Sequence, residues 1–475
     1  IRCLRPVMRR VKGHCHDEYS ESATVSTFDL LTFDLRTFGL LDFRHSLPSL
    51  YFTDPATISL SLRRIWFPMK VLYISYDGMT DPLGSSQVIP YLIGLAGLGH
   101  GICILSFEKE KAYQKSGQGM HQKLRDVGIR WQPLRYHARP PVISTLKDIR
   151  SGLKMAKQLQ CESSFEIIHA RSYISALIAL RMKKKSGIPF IFDMRGFWAD
   201  ERVEGGLWKL SNPVFKAVYR FFKRREKAFF SESAAVVSLT TAGKEVILSR
   251  ALSGVNEQKI RVIPCCTDTD LFSPIQDKEK QTPWRNKLQI RENTRVISYL
   301  GSFGTWYMAD EMLDFFHRFL KTDPEAIFLI ITKESQKTVL DRVVAKGISP
   351  ASVRITPAER EEVPCLLSLS SYTLFFIRPT FSKKASSPTK MGEALSMGIP
   401  VICNNGIGDC TPILEENRAG VIVPAFDEAS YDQAIAQLQS RKMPDAAEIR
   451  NLALRYFDLR SGVASYHEIY SSISK

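Results

Sequence analysis

"SSPTKMGEALSMGIPV", residues 386–401, reads as a helix that leads into a buried strand, and it carries a charge at the wrong end. Ser387 is a good N-cap, Pro388 suits the first helical position, and Gly398 with Pro400 marks the stop. Met391, Ala394 and Leu395 form one apolar face. Lys390 then falls at the third helical position, where a capping box has Glu or Gln and the positive end of the helix dipole disfavours a cation. Such a lysine either snorkels to water or serves an anion.

Around this stretch, from Met69 onward, short β-branched runs alternate with amphipathic segments, the pattern of parallel sheets covered by helices. The first series reads "KVLYISY", "GICILSF", "IRWQPL", "FEIIHAR", "PFIFDMR", "AAVVSLT" and "IRVIPC". The second reads "VISYLGS", "AIFLIIT", "SVRIT", "YTLFFIR", "PVICN" and "AGVIV". The expected fold class is α/β, with two Rossmann-like doubly wound domains, 69–275 and 294–445, facing across a cleft. A polar stretch, 276–293, is expected to link them, and a final helical segment, 446–475, to cross back to the first.

Residues 1–68 differ. "TFDLLTFDLRTFGLLDF" (Thr27–Phe43) repeats a unit every five residues, a period that gives neither a helical nor a strand face. The sequence begins with Ile1, and Met69 reads as a natural start into a strand, so this segment is expected to be a disordered leader or translated upstream sequence. It lacks the apolar core and cleavage site of a signal peptide.

At 475 residues the chain is too long for one core, and 44% hydrophobic with 24% charged residues exclude wholesale disorder. The net charge of +16 calls for an anionic partner, whether nucleic acid, phosphorylated small molecule or acidic lipid. Residues 1–68 contribute only +2 of it. Nine scattered cysteines fit reduced thiols in the cytosol, none has zinc spacing, and no metal site is expected. The longest apolar run, Tyr91–Phe107, is broken by glycines and His100, so no span is expected.

In this frame Ser386–Lys390 follow the strand "YTLFFIR", at a helix start on the ligand edge of the second sheet. Free N–H groups, the hydroxyls of Ser386, Ser387 and Thr389 and the Lys390 ammonium suit a phosphate or diphosphate, with Arg378, Lys383 and Lys384 preceding in the loop. Glu393, nearly one turn on, either accepts two hydrogen bonds from a ribose diol or is an ordinary solvated glutamate.

The segment "SSPTKMGEALSMGIPVICNNGIGD", with "IRVIPCCTDTDLF" and "ISYLGSFGTW" upstream, resembles the donor-binding domain of family 4 glycosyltransferases, retaining GT-B enzymes also called group 1. The likeness covers nearly everything from Met69 onward, and its core is E-A-L-x-x-G-x-P-V. It implies a nucleotide-diphospho-sugar donor, metal-independent transfer and no further cofactor. It also implies that Glu393, the second glutamate of a paired motif, binds the donor ribose while Ser386–Lys390 surround the diphosphate. Two departures stand out. The first glutamate is replaced by Ala385, and the usual Arg and Lys after the first strand are replaced by Gly301, Ser302, Gly304 and Thr305. Such a Gly-rich turn still offers N–H groups to an oxyanion, and the positive charge is then expected from Lys390 and Arg378.

In the first half, "YDGMTDPLGSSQV" (Tyr76–Val88) offers Gly78, Gly84 and Ser85 as a cleft loop, either for close approach to substrate or merely to turn the chain. It has neither the dinucleotide nor the P-loop spacing. "FDMRGFWADERVEGG" (Phe192–Gly206) crowds Asp193, Arg195, Asp200, Glu201 and Arg202 at a strand end. Arg195 and Asp200 are catalytic candidates with His169 of "IIHARSY"; a surface salt-bridge cluster and a structural histidine are the alternatives. The family's usual histidine near Arg195 is absent. "FKAVYRFFKRREKAFF" (Phe215–Phe230) reads as an amphipathic helix lying on an anionic membrane, or as a core helix with a solvated basic face.

The resulting expectation is a cytoplasmic, peripherally membrane-bound glycosyltransferase acting on a glycan or lipid-linked acceptor in cell-surface polysaccharide or glycolipid synthesis. A nucleotide-sugar epimerase, a non-catalytic nucleotide-sugar binder and a nucleic-acid binder are the alternatives, and no recognised nucleic-acid module is present.

Overall fold

The computed structural model describes residues 68–275, 277–304 and 306–473; the leader expected over 1–68 lies, but for Pro68, outside them. Each apolar run of the first series becomes a strand: β1 (Lys70–Ser75), β2 (Gly101–Glu108), β3 (Arg130–Arg135), β4 (Ile167–Arg171), β5 (Phe190–Asp193), β6 (Ala235–Ser238) and β7 (Ile260–Val262). The second series gives β8 (Val296–Leu300), β9 (Ile327–Ile331), β10 (Val353–Thr356), β11 (Tyr372–Phe375), β12 (Val401–Asn404) and β13 (Gly420–Val423). They form two all-parallel sheets, ordered β3-β2-β1-β4-β5-β6-β7 and β10-β9-β8-β11-β12-β13. Helices cover both faces, so strands such as β4, β9 and β12 are buried at every position and read as unbroken apolar runs.

This topology fixes where chemistry can sit. Strand order reverses between β1 and β4 in the first sheet and between β8 and β11 in the second. A crevice opens beyond the carboxyl ends of strands at such a reversal. The loops there are those after β1, β4, β8 and β11, which carry most of the residues singled out from sequence.

The segment 276–293 is more than a linker: it holds a helix, Lys278–Leu288, whose N-terminus is capped by the Asp277 carboxylate accepting from the Glu279 N–H at 2.9 Å. The final segment is two helices. Ala446–Phe457 opens with a capping box of Asp445 and Glu448 and packs where Gly392 leaves room for Phe457. Leu459–Ile473 then lies against the Ile89–Gly97 helix of the first sheet, so closely that a Cβ on Gly94 would stand 2.6 Å from Val463 Cγ2.

That contact is testable. Gly94→Ala overpacks it and should lower stability by about 1–2 kcal/mol in thermal or denaturant unfolding, despite the better helix propensity of alanine. Adding Val463→Ala should recover part of the loss, because it removes the methyl groups that collide.

Candidate functional site

The helix bearing Lys390 spans Thr389–Ser396, with Pro388 in the N-cap position and no side chain capping it. It starts one residue later than the sequence suggests, because Ser387 is used elsewhere. Its Oγ accepts the Cys265 N–H at 3.2 Å, from the segment just past β7. Lys390 therefore sits in the first turn, and its stem, half-buried, runs under the turn that follows β8.

The ammonium is shut off from solvent and has no hydrogen-bond partner among the described residues. It lies 3.4 Å from the ring centroid of Tyr307 and 4.6 Å from that of Tyr299. Desolvation lowers its pKa to about 7, against the opposing field of Glu393. Gly301 makes this placement possible: it adopts φ +132°, and a Cβ there would stand 2.9 Å from Nζ. In the same turn the Gly301 N–H donates to the Ile331 carbonyl and the Phe303 N–H to Glu334. Those of Ser302 and Gly304 have no backbone partner among the described residues, and Thr305 is outside them.

Glu393 is buried and ion-paired with Arg360 from the loop after β10, whose guanidinium lies 4.5 Å over Phe272. It is therefore not the solvated glutamate of the bland alternative. Arg378 and Lys384 are exposed, Ser386 and Thr389 half-buried. Lys383 is buried, with Nζ 2.7 Å from Glu201 and 3.7 Å over Trp306.

From the first domain, Arg195 reaches this crevice. It holds φ +56° ahead of Gly196, and its guanidinium donates to Cys265 Sγ at 3.2 Å. Burial opposes its charge, but Cys265 and Asp193 outweigh that and hold its pKa well above the ordinary arginine value.

The other two catalytic candidates are not brought to this place. Asp200 accepts from Tyr219 Oη and Lys223 Nζ, each at 2.8 Å, so its carboxylate is engaged with the helix Pro213–Glu232. His169 is buried in β4 between Tyr470 Oη at 2.7 Å and Asp193 at 3.5 Å, and burial lowers its pKa. It anchors the last helix to the first sheet. Gly78 and Gly84 serve packing: a Cβ on Gly84 would stand 2.0 Å from the Gly78 carbonyl oxygen, and Glu108 accepts the N–H groups of Met79 and Thr80. The Ser85 hydroxyl bonds the Pro82 carbonyl within its own turn.

The 3₁₀ turn Phe381–Ala385 wedges between helices of the first domain. Phe381 stacks on Phe197, and Thr240 Oγ1 donates to the Lys384 carbonyl at 2.6 Å. Asp409 accepts the Thr241 and Ala242 N–H groups at 2.7 and 3.0 Å, an anion on a helix N-terminus. Ala385 is fully buried there, and a Cβ on Gly243 would lie 2.9 Å from its own Cβ. This explains the missing glutamate: no carboxylate fits. Tyr307 and Arg360 went unnoticed in the sequence, where an isolated residue in a loop carries no periodic signal, while Cys265 and Asp409 lay within the stretches quoted for the resemblance without being given a role.

Lys390 makes stability depend on pH. Its folded pKa of about 7 lies below the ordinary 10.5, so between these values the unfolded chain binds a proton the folded chain does not. Stability of the protein alone should rise with pH through that window and be lowest below it. Lys390→Met should flatten the rise and stabilise the protein at pH 7 by on the order of 2–4 kcal/mol in denaturant titrations.

Comparison with known proteins agrees with this architecture. A family model described as Glycosyltransferase Family 4 matches residues 91–271, and one described as Glycosyl transferases group 1 matches residues 280–453. D-inositol 3-phosphate glycosyltransferase of Stackebrandtia nassauensis is 20% identical over 311 residues; the match covers 62% of this chain and 65% of that relative's length. A crystal structure of a glycosyltransferase from Rickettsia africae superposes with a TM-score of 0.62 at 17% identity, covering 86% of this chain and 99% of that one. The structure of Anabaena Alr3699/HepE in complex with UDP-glucose does so with 0.61 at 13% identity, covering 85% and 100%. Two parallel Rossmann-like sheets meeting at a crevice, matched in turn by these two family models, place the chain in glycosyltransferase family 4, group 1, with the GT-B fold.

Proposed function

We propose that this chain moves a sugar from a nucleotide-diphospho-sugar to a glycan or lipid-linked acceptor, with retention at the anomeric carbon, in cell-surface polysaccharide or glycolipid synthesis. The observation that carries the reading is the buried, unpartnered Lys390 ammonium beneath the Gly301 turn, at the ligand edge of the second sheet. A diphosphate supplies the charge and the acceptors that this group lacks. That the Anabaena neighbour was solved with UDP-glucose supports a UDP-sugar as donor.

In the transfer, the bond from the anomeric carbon to the diphosphate oxygen breaks and its electron pair stays with the diphosphate. The acceptor oxygen bonds the same carbon, and its proton passes to the leaving phosphate. Lys390, the Ser302 and Gly304 N–H groups and the Thr389 helix start hold the growing negative charge without reorganising. This scheme calls for no metal ion and no further cofactor. Glu393, steadied by Arg360, keeps lone pairs for the ribose hydroxyls, and Arg195 faces the crevice from the acceptor side.

Among the described residues no helix is long and apolar enough to cross a membrane. We place the chain on the cytoplasmic face, attached peripherally through the basic Pro213–Glu232 helix.

A thermal-shift and calorimetry panel with UDP, GDP, ADP and CMP tests the reading. One nucleotide should stabilise selectively, and Lys390→Ala should weaken it roughly 10–100-fold, as expected for a lost charge-assisted contact. Affinity should decline as pH rises above about 7, because the anion favours the protonated lysine. Sugar transfer should persist in excess EDTA. Equal affinity in Lys390→Ala, or no stabilisation by any nucleotide, would sink the proposal.

A further inference from the structure

A second cavity, of about 430 Å³, lies in the first domain between the helices Ile143–Ser163, Ser172–Ser186 and Pro213–Glu232. Its volume is that of a small-molecule site, and its walls are mainly apolar, with Ile149, Leu177, Trp198, Trp208 and Phe222 among them. Trp208 stacks on Phe222 and meets Trp198 edge-on, which holds the walls apart. Arg181 and Arg202 also line it, as do Ser144, Thr145 and Tyr136.

The surroundings of this cavity are unusual for a surface in water. Among the described residues, half of the large hydrophobic side chains that stand exposed fall on the helices Ile143–Ser163 and Pro213–Glu232 or in the loop just before the latter: Ile143, Leu146, Leu207, Leu210, Val214 and Phe221, with Leu146 and Phe221 in the lining itself. Concentrated apolar exposure of this kind marks an interaction surface. Charge on the same helix is one-sided. Lys216, Arg220, Arg224, Arg225 and Lys227 are exposed, whereas Glu226 is buried and neutralised by Lys223 and Arg250. Arg220, Arg224 and Arg225 line a second groove beside Phe221.

We infer that this face docks on an anionic bilayer and that the cavity takes the hydrocarbon chain of a phosphate-bearing lipid. Apolar residues at the rim enter the acyl region, the arginines and lysines meet the phosphates, and the chain lies along the wall that Trp198 and Trp208 help to form. Charge complementarity favours this occupant: five exposed cations beside the apolar patch repel a second copy of this basic chain, whereas an anionic bilayer meets the cations and the apolar side chains together. The wall of the cavity includes Tyr76, the first residue past β1, and Trp198, three residues past Arg195, so it lies on the segments that leave the carboxyl ends of β1 and β5. A lipid held here by its tail would present its head group toward Arg195. As an acceptor subsite the inference rests on the transferase reading; as a lipid site it stands without it.

The test uses the full chain with phosphatidylcholine vesicles, with and without phosphatidylglycerol, and with brominated acyl chains. The protein should float with the anionic vesicles only, and Arg220→Glu with Arg224→Glu should reduce partitioning by on the order of tenfold or more. Phe221→Asp and Leu146→Asp, both exposed positions, should reduce it as well. Brominated chains should quench tryptophan fluorescence, and Trp208→Phe should remove much of the quenching. Unchanged flotation in the charge-reversed and Asp variants would overturn the docking surface. Binding without quenching would overturn the cavity as a chain site, and a dimer in size-exclusion chromatography that Phe221→Asp dissociates would assign the face to a second copy instead. Nucleotide-induced thermal shifts in the same variants should match the parent protein. If nucleotide shifts are seen while the parent protein does not float with anionic vesicles, only the lipid inference fails; if flotation and quenching hold with no nucleotide shift in any protein, only the transferase reading fails.

Discussion

A buried ammonium without a hydrogen-bond partner is costly, and the second domain is arranged around that cost. Lys390 is kept beneath the Gly301 turn by two tyrosine rings and the field of Glu393, which soften the desolvation without cancelling it. Cation–π contact and a carboxylate at a distance leave the ammonium hydrogens free to aim at an anion. A direct salt bridge would have stabilised the fold more and left nothing for a ligand. Glu393 is kept from forming one by its own partner, Arg360.

The same economy governs the closure of the two domains. The segment after β11 has to present Lys390 to the crevice and also pack against the first domain. Asp409 and Thr240 hold it through hydrogen bonds to backbone, while Ala385 fills the space beneath Gly243. Backbone contacts of this kind fix position without spending the side chains that chemistry needs. The Ser387 hydroxyl does the same by accepting the Cys265 N–H, and so ties the start of the Lys390 helix to the residue whose Sγ accepts from Arg195.

Much of this was legible in the sequence, and the limits have physical causes. The inner strands appear as apolar runs because a parallel sheet buried on both faces demands them, whereas the edge strands β3, β7 and β10 carry Arg or Gln and were found by their β-branched or aromatic residues and their place in the series. The misplaced lysine was legible because helix ends have a charge grammar. The helix start was misjudged by one residue because the capping geometry of Ser387 yields to a tertiary contact 122 residues away in sequence. His169 and Asp200 resembled catalytic groups for a related reason. Their partners, Tyr470 and Tyr219, come from helices whose placement no local pattern reveals, and a polar side chain at a strand end looks the same whether its partner is a substrate or a tyrosine. Tyr307 and Arg360, which shape the environment of Lys390, lie in loops and leave no periodic trace.

The chain thus uses positive charge in two physically different ways. On the donor side the Lys390 ammonium is buried with no hydrogen-bond partner among the described residues, and desolvation makes its charge depend on proton concentration; a second such group beside it would raise the cost of both. On the helix Pro213–Glu232 many cations are exposed, where each costs little and contributes little, and salt screens them beyond about 10 Å at 0.1 M. A buried charge recognises one anion at one distance, whereas a spread of exposed charges recognises a surface of anions at no fixed distance. The apolar rim between them supplies what the exposed charges cannot, a fixed depth at which the cavity near Arg195 meets the membrane.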